Sequence, residues 1–98
     1  MLSITYDEIK VIKAGFVSDE CPMIHRTELE INGKVLSGDI LFTETIREFY
    51  RLKYHLNSRY NRCILHLASH DDFTNLRIRL QNGKPVPTLI CDFQDFKA

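Results

Sequence analysis

The sequence predicts one α+β domain over residues 1–98: an antiparallel sheet of about 6–7 strands with one amphipathic helix, about 44–57, packed on one face. Three observations predict it. Two Asn-Gly dipeptides, Asn32-Gly33 and Asn82-Gly83, each divide runs in which apolar and polar residues alternate. One stretch between them repeats its apolar residues at helical spacing. Apolar residues make up 44% and charged residues 27%, so the chain can bury a core and is not of disordered type.

The elements follow in chain order. SITY and EIKVIKAGF read as two short strands, the second with Ile9, Val11 and Lys13 on one face and Lys10, Ile12 and Ala14 on the other. TELEI and KVLSG flank Asn32-Gly33. Asn-Gly accepts positive φ at both central positions of a two-residue type I′ turn, so each Asn-Gly marks a hairpin. Leu29 and Ile31 alternate with Glu28 and Glu30, giving that hairpin a buried and a wet face. Thr43 is the expected helix N-cap and Asn57 the expected left-handed C-terminal residue. At about 100° per residue, Ile46, Phe49, Leu52 and Leu56 share the core face, Tyr50 and Lys53 border it, and Arg47, Arg51, Tyr54 and His55 lie opposite. RCILHLA, residues 62–68, reads as a buried strand. Leu76, Ile78 and Leu80 then alternate with Arg77, Arg79 and Gln81 into the second hairpin. Pro85 and Pro87 lack N–H donors, which places the last strand's start at an edge or in a bulge.

Composition narrows the function. No apolar run approaches the length of a membrane span, and the first residues, MLSITYDEIK, show no secretory signal, so a cytoplasmic location is expected. Cys21, Cys63 and Cys91 cannot all pair and match no CxxC spacing, which fits reduced structural thiols. Thirteen Lys/Arg balance 13 Asp/Glu, which argues against a dedicated nucleic-acid binder. The halves differ in sign, with eight acids against four bases before residue 46 and nine bases against five acids after it. No GxSxG, P-loop, GxGxxG or HExxH occurs, so a non-enzymatic role without a cofactor is expected.

Three groups of residues invite a functional reading. Arg47, Arg51, Tyr54 and Arg59 offer cations for phosphates and a ring for stacking, as an RNA-contacting helix would. The competing reading is a solvated face, since Glu44–Arg47 and Glu48–Arg51 stand at i, i+3 spacing. His66, His70, Asp71 and Asp72 are a conceivable metal or acid–base cluster. On a strand, however, the two histidines would stand roughly 13 Å apart, and Asp71-Asp72 suits a turn, so no metal site is assigned. Glu28 and Glu30 oppose Arg77 and Arg79 in sign. They form cross-strand salt bridges if their strands are neighbours, and open patches for a protein partner if not.

The order of ELEINGKVLSGDI, FTETIREFYRLKYHL, LHLASHDDFTNLRIRL and NGKPVPTLICDF, across about residues 26–95, resembles the WapI-like (wall-associated-protein immunity) family of small bacterial immunity proteins. The resemblance implies a cytoplasmic, non-enzymatic protein that binds and neutralises a cognate toxin, and it transfers no site residues. The expected role is therefore a protein-binding module, most specifically an immunity or antitoxin-like inhibitor. Glu28, Glu30, Asp71 and Asp72 are its candidate contacts for a basic, nucleic-acid-cutting toxin, and Arg77 and Arg79 for an acidic partner. The alternatives are a nucleic-acid-binding accessory protein using the basic helix face, a metal protein built on His66 and His70, and a small oligomerising structural subunit.

Overall fold

The structure, a computed structural model, describes residues 9–17, 23–70 and 78–91. It contains strands β1 (Ile9–Lys13), β2 (Phe16–Val17), β3 (Met23–Ile31) and β4 (Lys34–Thr43), then helix α1 (Ile46–Arg51). Two 3-10 turns, Tyr54–Leu56 and Ser58–Tyr60, lead to β5 (Cys63–Ala68), followed by β6 (Ile78–Arg79), β7 (Pro85–Val86) and β8 (Thr88–Ile90). The chain is mostly sheet with a small helical part. Six strands form one sheet in the order β1-β3-β4-β5-β8, with β2 also pairing β3, and β6-β7 form a separate two-stranded sheet.

The main sheet is mixed, where the sequence predicted an antiparallel one. β1, β2 and β4 run antiparallel to β3, but β5 is parallel to β4 and β8 is parallel to β5. The physical reason is visible in β5 itself. All six of its residues are buried, as expected of a parallel strand covered on both faces and reached by a crossover connection. The helical segment 46–60 is that crossover. Ile46 and Phe49 of α1 join Met23, Leu41, Cys63, Ile78 and Val86 in one core cluster. Ile24, Leu29, Ile40, Leu65, Leu67 and Leu89 form a second.

The two Asn-Gly turns differ. Asn32 and Gly33 take φ of 53° and 80°, and Ile31 pairs with Lys34, which is the two-residue turn the sequence predicts. At the second, positive φ falls on Gly83 alone, at 83°. Gly83 N–H donates to Leu80 O (2.9 Å) and Leu80 N–H to Lys84 O (3.0 Å), so the loop is three residues long. The Asn82 carboxamide instead accepts from Lys84 N–H at 3.0 Å, and the Asn82 N–H is held by Asn61 Oδ1 at 3.1 Å.

The helix is shorter than the predicted 44–57. Its N-cap is Thr45, whose hydroxyl accepts from Glu48 N–H at 3.2 Å, while Glu48 Oε1 reaches back to Glu44 N–H at 3.0 Å. Thr43 cannot serve as the cap because it is the last residue of β4. Lys53, not Asn57, takes the left-handed conformation at φ 60°, and Asn57 is extended at φ −111°. That reversal breaks the helical phase. Leu52 and Leu56 are consequently exposed rather than buried, while Tyr54 turns inward against Phe49 and Tyr60. No helix among the described residues is long and apolar enough to cross a membrane.

Candidate functional site

Two polar arrangements stand out, one sealed in the sheet and one open at its edge. The sealed one centres on His66 of β5. The strand carries a bulge: Asp39 pairs with Cys63 and Ile40 with Leu65, leaving Ile64 as the extra residue. Beyond the bulge His66 packs its ring against Phe49 (5.5 Å between centroids). Thr43 Oγ1 lies 2.6 Å from His66 Nε2 and donates to Thr45 O at 2.7 Å, and Thr88 Oγ1 lies 3.2 Å from His66 Nδ1. The single Thr43 hydroxyl proton goes to Thr45 O, so Nε2 carries the imidazole proton and donates to Thr43. Nδ1 then accepts from Thr88. Both ring nitrogens of His66 are therefore satisfied, and the imidazole is held neutral, its pKa pushed by burial down to about 4.

The open arrangement lies where β1, β2 and β3 meet. β1 ends in a kink at Ala14-Gly15, with Gly15 at φ 73°. Opposite it, β3 bulges at His25-Arg26, and Arg26 sits at φ 56°. The two irregularities fit each other. A Cβ on Gly15 would stand 2.2 Å from His25 O, so only glycine permits this approach. Left-handed backbone at an arginine costs about 1–2 kcal/mol, and such strain collects at functional sites. The Arg26 N–H donates to Asp39 Oδ1 at 3.3 Å, and His25 Nδ1 lies 3.4 Å from the same oxygen. Asp39 is buried, and its carboxylate is engaged by these two contacts within the fold. Beside the bulge opens a cleft of about 320 Å³ whose lining includes Lys13, Arg26, Glu28, Ser37, Gly38 and Arg62.

The outer side of the same region is apolar. Val11 (48%), Ile12 (50%), Phe16 (54%) and Val17 (46%) are each about half exposed, all on β1 and β2. β1 is the terminal strand of the sheet, so its outer edge is unpaired among the described residues. Lys10 and Lys13 flank this apolar run.

A model of the family described as Protein of unknown function (DUF2851) matches residues 1–94. The chain belongs to that family. No curated protein and no solved structure matches it.

The residues singled out from the sequence of this DUF2851 chain are scattered. Glu28 lines the cleft, whereas Glu30 lies beside Lys10 of β1 at 4.0 Å. Arg79 is on the separate β6-β7 sheet and donates to Gly83 O at 3.2 Å, so it makes no cross-strand bridge with Glu28 or Glu30. Asp71, Asp72 and Arg77 lie outside the described residues, as does Cys21. Arg47 and Arg51 are exposed on α1, with Arg51 3.4 Å from Glu48, and Arg59 is exposed on a 3-10 turn. Tyr54 does not join them, because it is half-buried and packs against the core cluster. His66 and His70 are not a chelating pair: both nitrogens of His66 are engaged by threonines, and His70 is exposed with Nδ1 3.0 Å from Ser69 Oγ. Cys63 is buried, donates to Leu65 O and has its thiol pushed by burial up to about 12, which makes it inert.

Sequence reasoning missed Lys13, Arg26, Ser37 and Arg62. Their one trace was Ser37-Gly38 interrupting an apolar strand. A Cβ on Gly38 would lie 2.2 Å from Arg62 O, so this glycine marks the close approach that brings Arg62 to the cleft.

Proposed function

We propose that this chain is a protein-binding module that receives an extended strand of its partner along the β1-β2 edge. The observation that carries it is the row of four half-exposed large hydrophobics, Val11, Ile12, Phe16 and Val17, on a strand whose outer edge is unpaired among the described residues. Main-chain hydrogen bonds supply affinity in strand addition, and alternate side chains supply specificity. Lys10 and Lys13 bear on the choice of partner. Two copies of β1 would bring like charges together, so the edge is blunted against self-pairing and suits a strand bearing acidic residues. The most specific form of this reading is an immunity or antitoxin-like inhibitor whose partner is a toxin.

Selection from a random-sequence peptide library on the immobilised chain tests the edge. Enriched peptides should alternate apolar with acidic residues and should lose binding to Ile12→Lys and Phe16→Lys variants. Enrichment no greater than on bare support, or peptides that bind both variants undiminished, would overturn the reading. The inhibitor form adds a second requirement. A protein bound through this edge should arrest growth when expressed alone and cease to do so when this chain is co-expressed.

A further inference from the structure

We propose that the cleft at the β3 bulge is a binding site for a dianionic phosphoryl group. Lys13, Arg26 and Arg62 converge on it from three different segments, β1, β3 and the entry to β5. Among the described residues none of the three is ion-paired with a carboxylate. The nearby acid that could neutralise them, Asp39, is already occupied by the Arg26 N–H and faces His25. Among the described residues Glu28 is the one acid in the lining. Three cations less one carboxylate leave two positive charges around the cleft, which match a phosphate monoester at neutral pH. A single carboxylate would leave one of them uncompensated.

The donors suit the same ligand. Two guanidinium groups present planar forks that bind phosphate oxygens in pairs, and the Ser37 hydroxyl adds a third kind of donor. The backbone is shaped around this. Arg26 adopts a left-handed conformation although it is not glycine, at the point where β3 bulges beside the cleft. The opposite kink at Gly15 makes room for that bulge, and Gly38 lets β4 approach the Arg62 carbonyl. Bulges of this kind re-aim side chains next to binding sites. The inference stands apart from strand addition, because phosphate binding is measured on the chain alone.

The test is an amide NMR titration of the isotope-labelled chain with inorganic phosphate, ionic strength held constant with chloride. Saturable shifts are expected at Arg26, Ser37 and Gly38. Arg62→Gln and Lys13→Gln should each weaken binding about tenfold, as loss of a charge-assisted contact does. Lys34→Gln, at the hairpin tip, should leave it unchanged. Acetate should bind at least about tenfold more weakly than phosphate, because it carries half the charge. Lys13 sits on the exposed edge strand, so its variant keeps the fold even if Arg62→Gln does not. Phosphoserine and ribose 5-phosphate, titrated next, show whether a protein-borne or a nucleotide-borne group binds more tightly. Shifts that are linear, equal with acetate, or undiminished in Lys13→Gln would overturn the proposal.

Discussion

The centre of the sheet and its β1-β2 edge use similar residues to opposite ends. At the centre, His66 lies between Thr43 and Thr88 with both ring nitrogens satisfied, sealed under Phe49. At the edge, His25 and Arg26 share one buried carboxylate while the Arg26 side chain is left facing a cleft. The central bulge at Ile64 is absorbed by packing, and the edge bulge at His25-Arg26 is not. Closed polar networks specify a core, whereas open, strained ones mark where something else can bind. Substitutions can separate these two roles.

Phe49→Ala should produce the largest loss. The ring is fully buried and touches Tyr50, Tyr54 and His66, so truncation leaves a cavity under the helix. A cost of about 3–5 kcal/mol is expected, read as a fall in the urea midpoint. Phe16→Lys at the edge should change stability by less than about 0.5 kcal/mol, because that ring is already half in water. If both cost the same, the edge is core after all.

The next effect is a pH dependence from His66. Its folded pKa, about 4, lies below the ordinary imidazole value of 6.5, so the folded state resists a proton that the unfolded state accepts. The stabilisation is fully present above pH 6.5 and is lost as pH falls towards 4, by about 1.4 kcal/mol per unit and about 3 kcal/mol in all. Below 4 both states are protonated and this contribution stops changing. Denaturation at several pH values checks it. A His66→Asn variant should be less stable at pH 7 yet show a flatter profile between pH 4 and 6.5, and a profile as steep as the parent's would assign the dependence to other groups.

The two regions were not equally legible in the sequence. Alternation gave the β3-β4 hairpin with its turn type, and the unbroken apolar run CILHLA gave β5, because each depends on residues adjacent in the chain. The parallel pairing of β5 did not show, since strand direction depends on how residues 44–62 cross over. The helix ended early because Lys53 adopts a left-handed turn that Asn57 was better suited to supply. The cleft was the least legible. It depends on a bulge at His25-Arg26 and a kink at Gly15 that face each other only once β1 and β3 pair, and Arg26 has no sequence preference for the conformation it holds.

That last conformation supplies the smallest and most discriminating test. Arg26 is held at φ 56°, where glycine rests without strain. Replacing it with glycine removes about 1–2 kcal/mol of backbone strain from the folded state and adds about 0.4–1 kcal/mol of disorder to the unfolded one. The backbone N–H that Asp39 accepts is kept. Arg26→Gly should therefore leave stability unchanged or raise it by up to about 1.6 kcal/mol, read from the urea midpoint. Phosphate binding should weaken in the same variant. A side chain that makes no ion pair or hydrogen bond among the described residues, on a backbone that costs the fold stability, is explained by what it binds. A variant that is less stable than the parent would instead show that the Arg26 side chain supports the bulge, and the strain would then be structural.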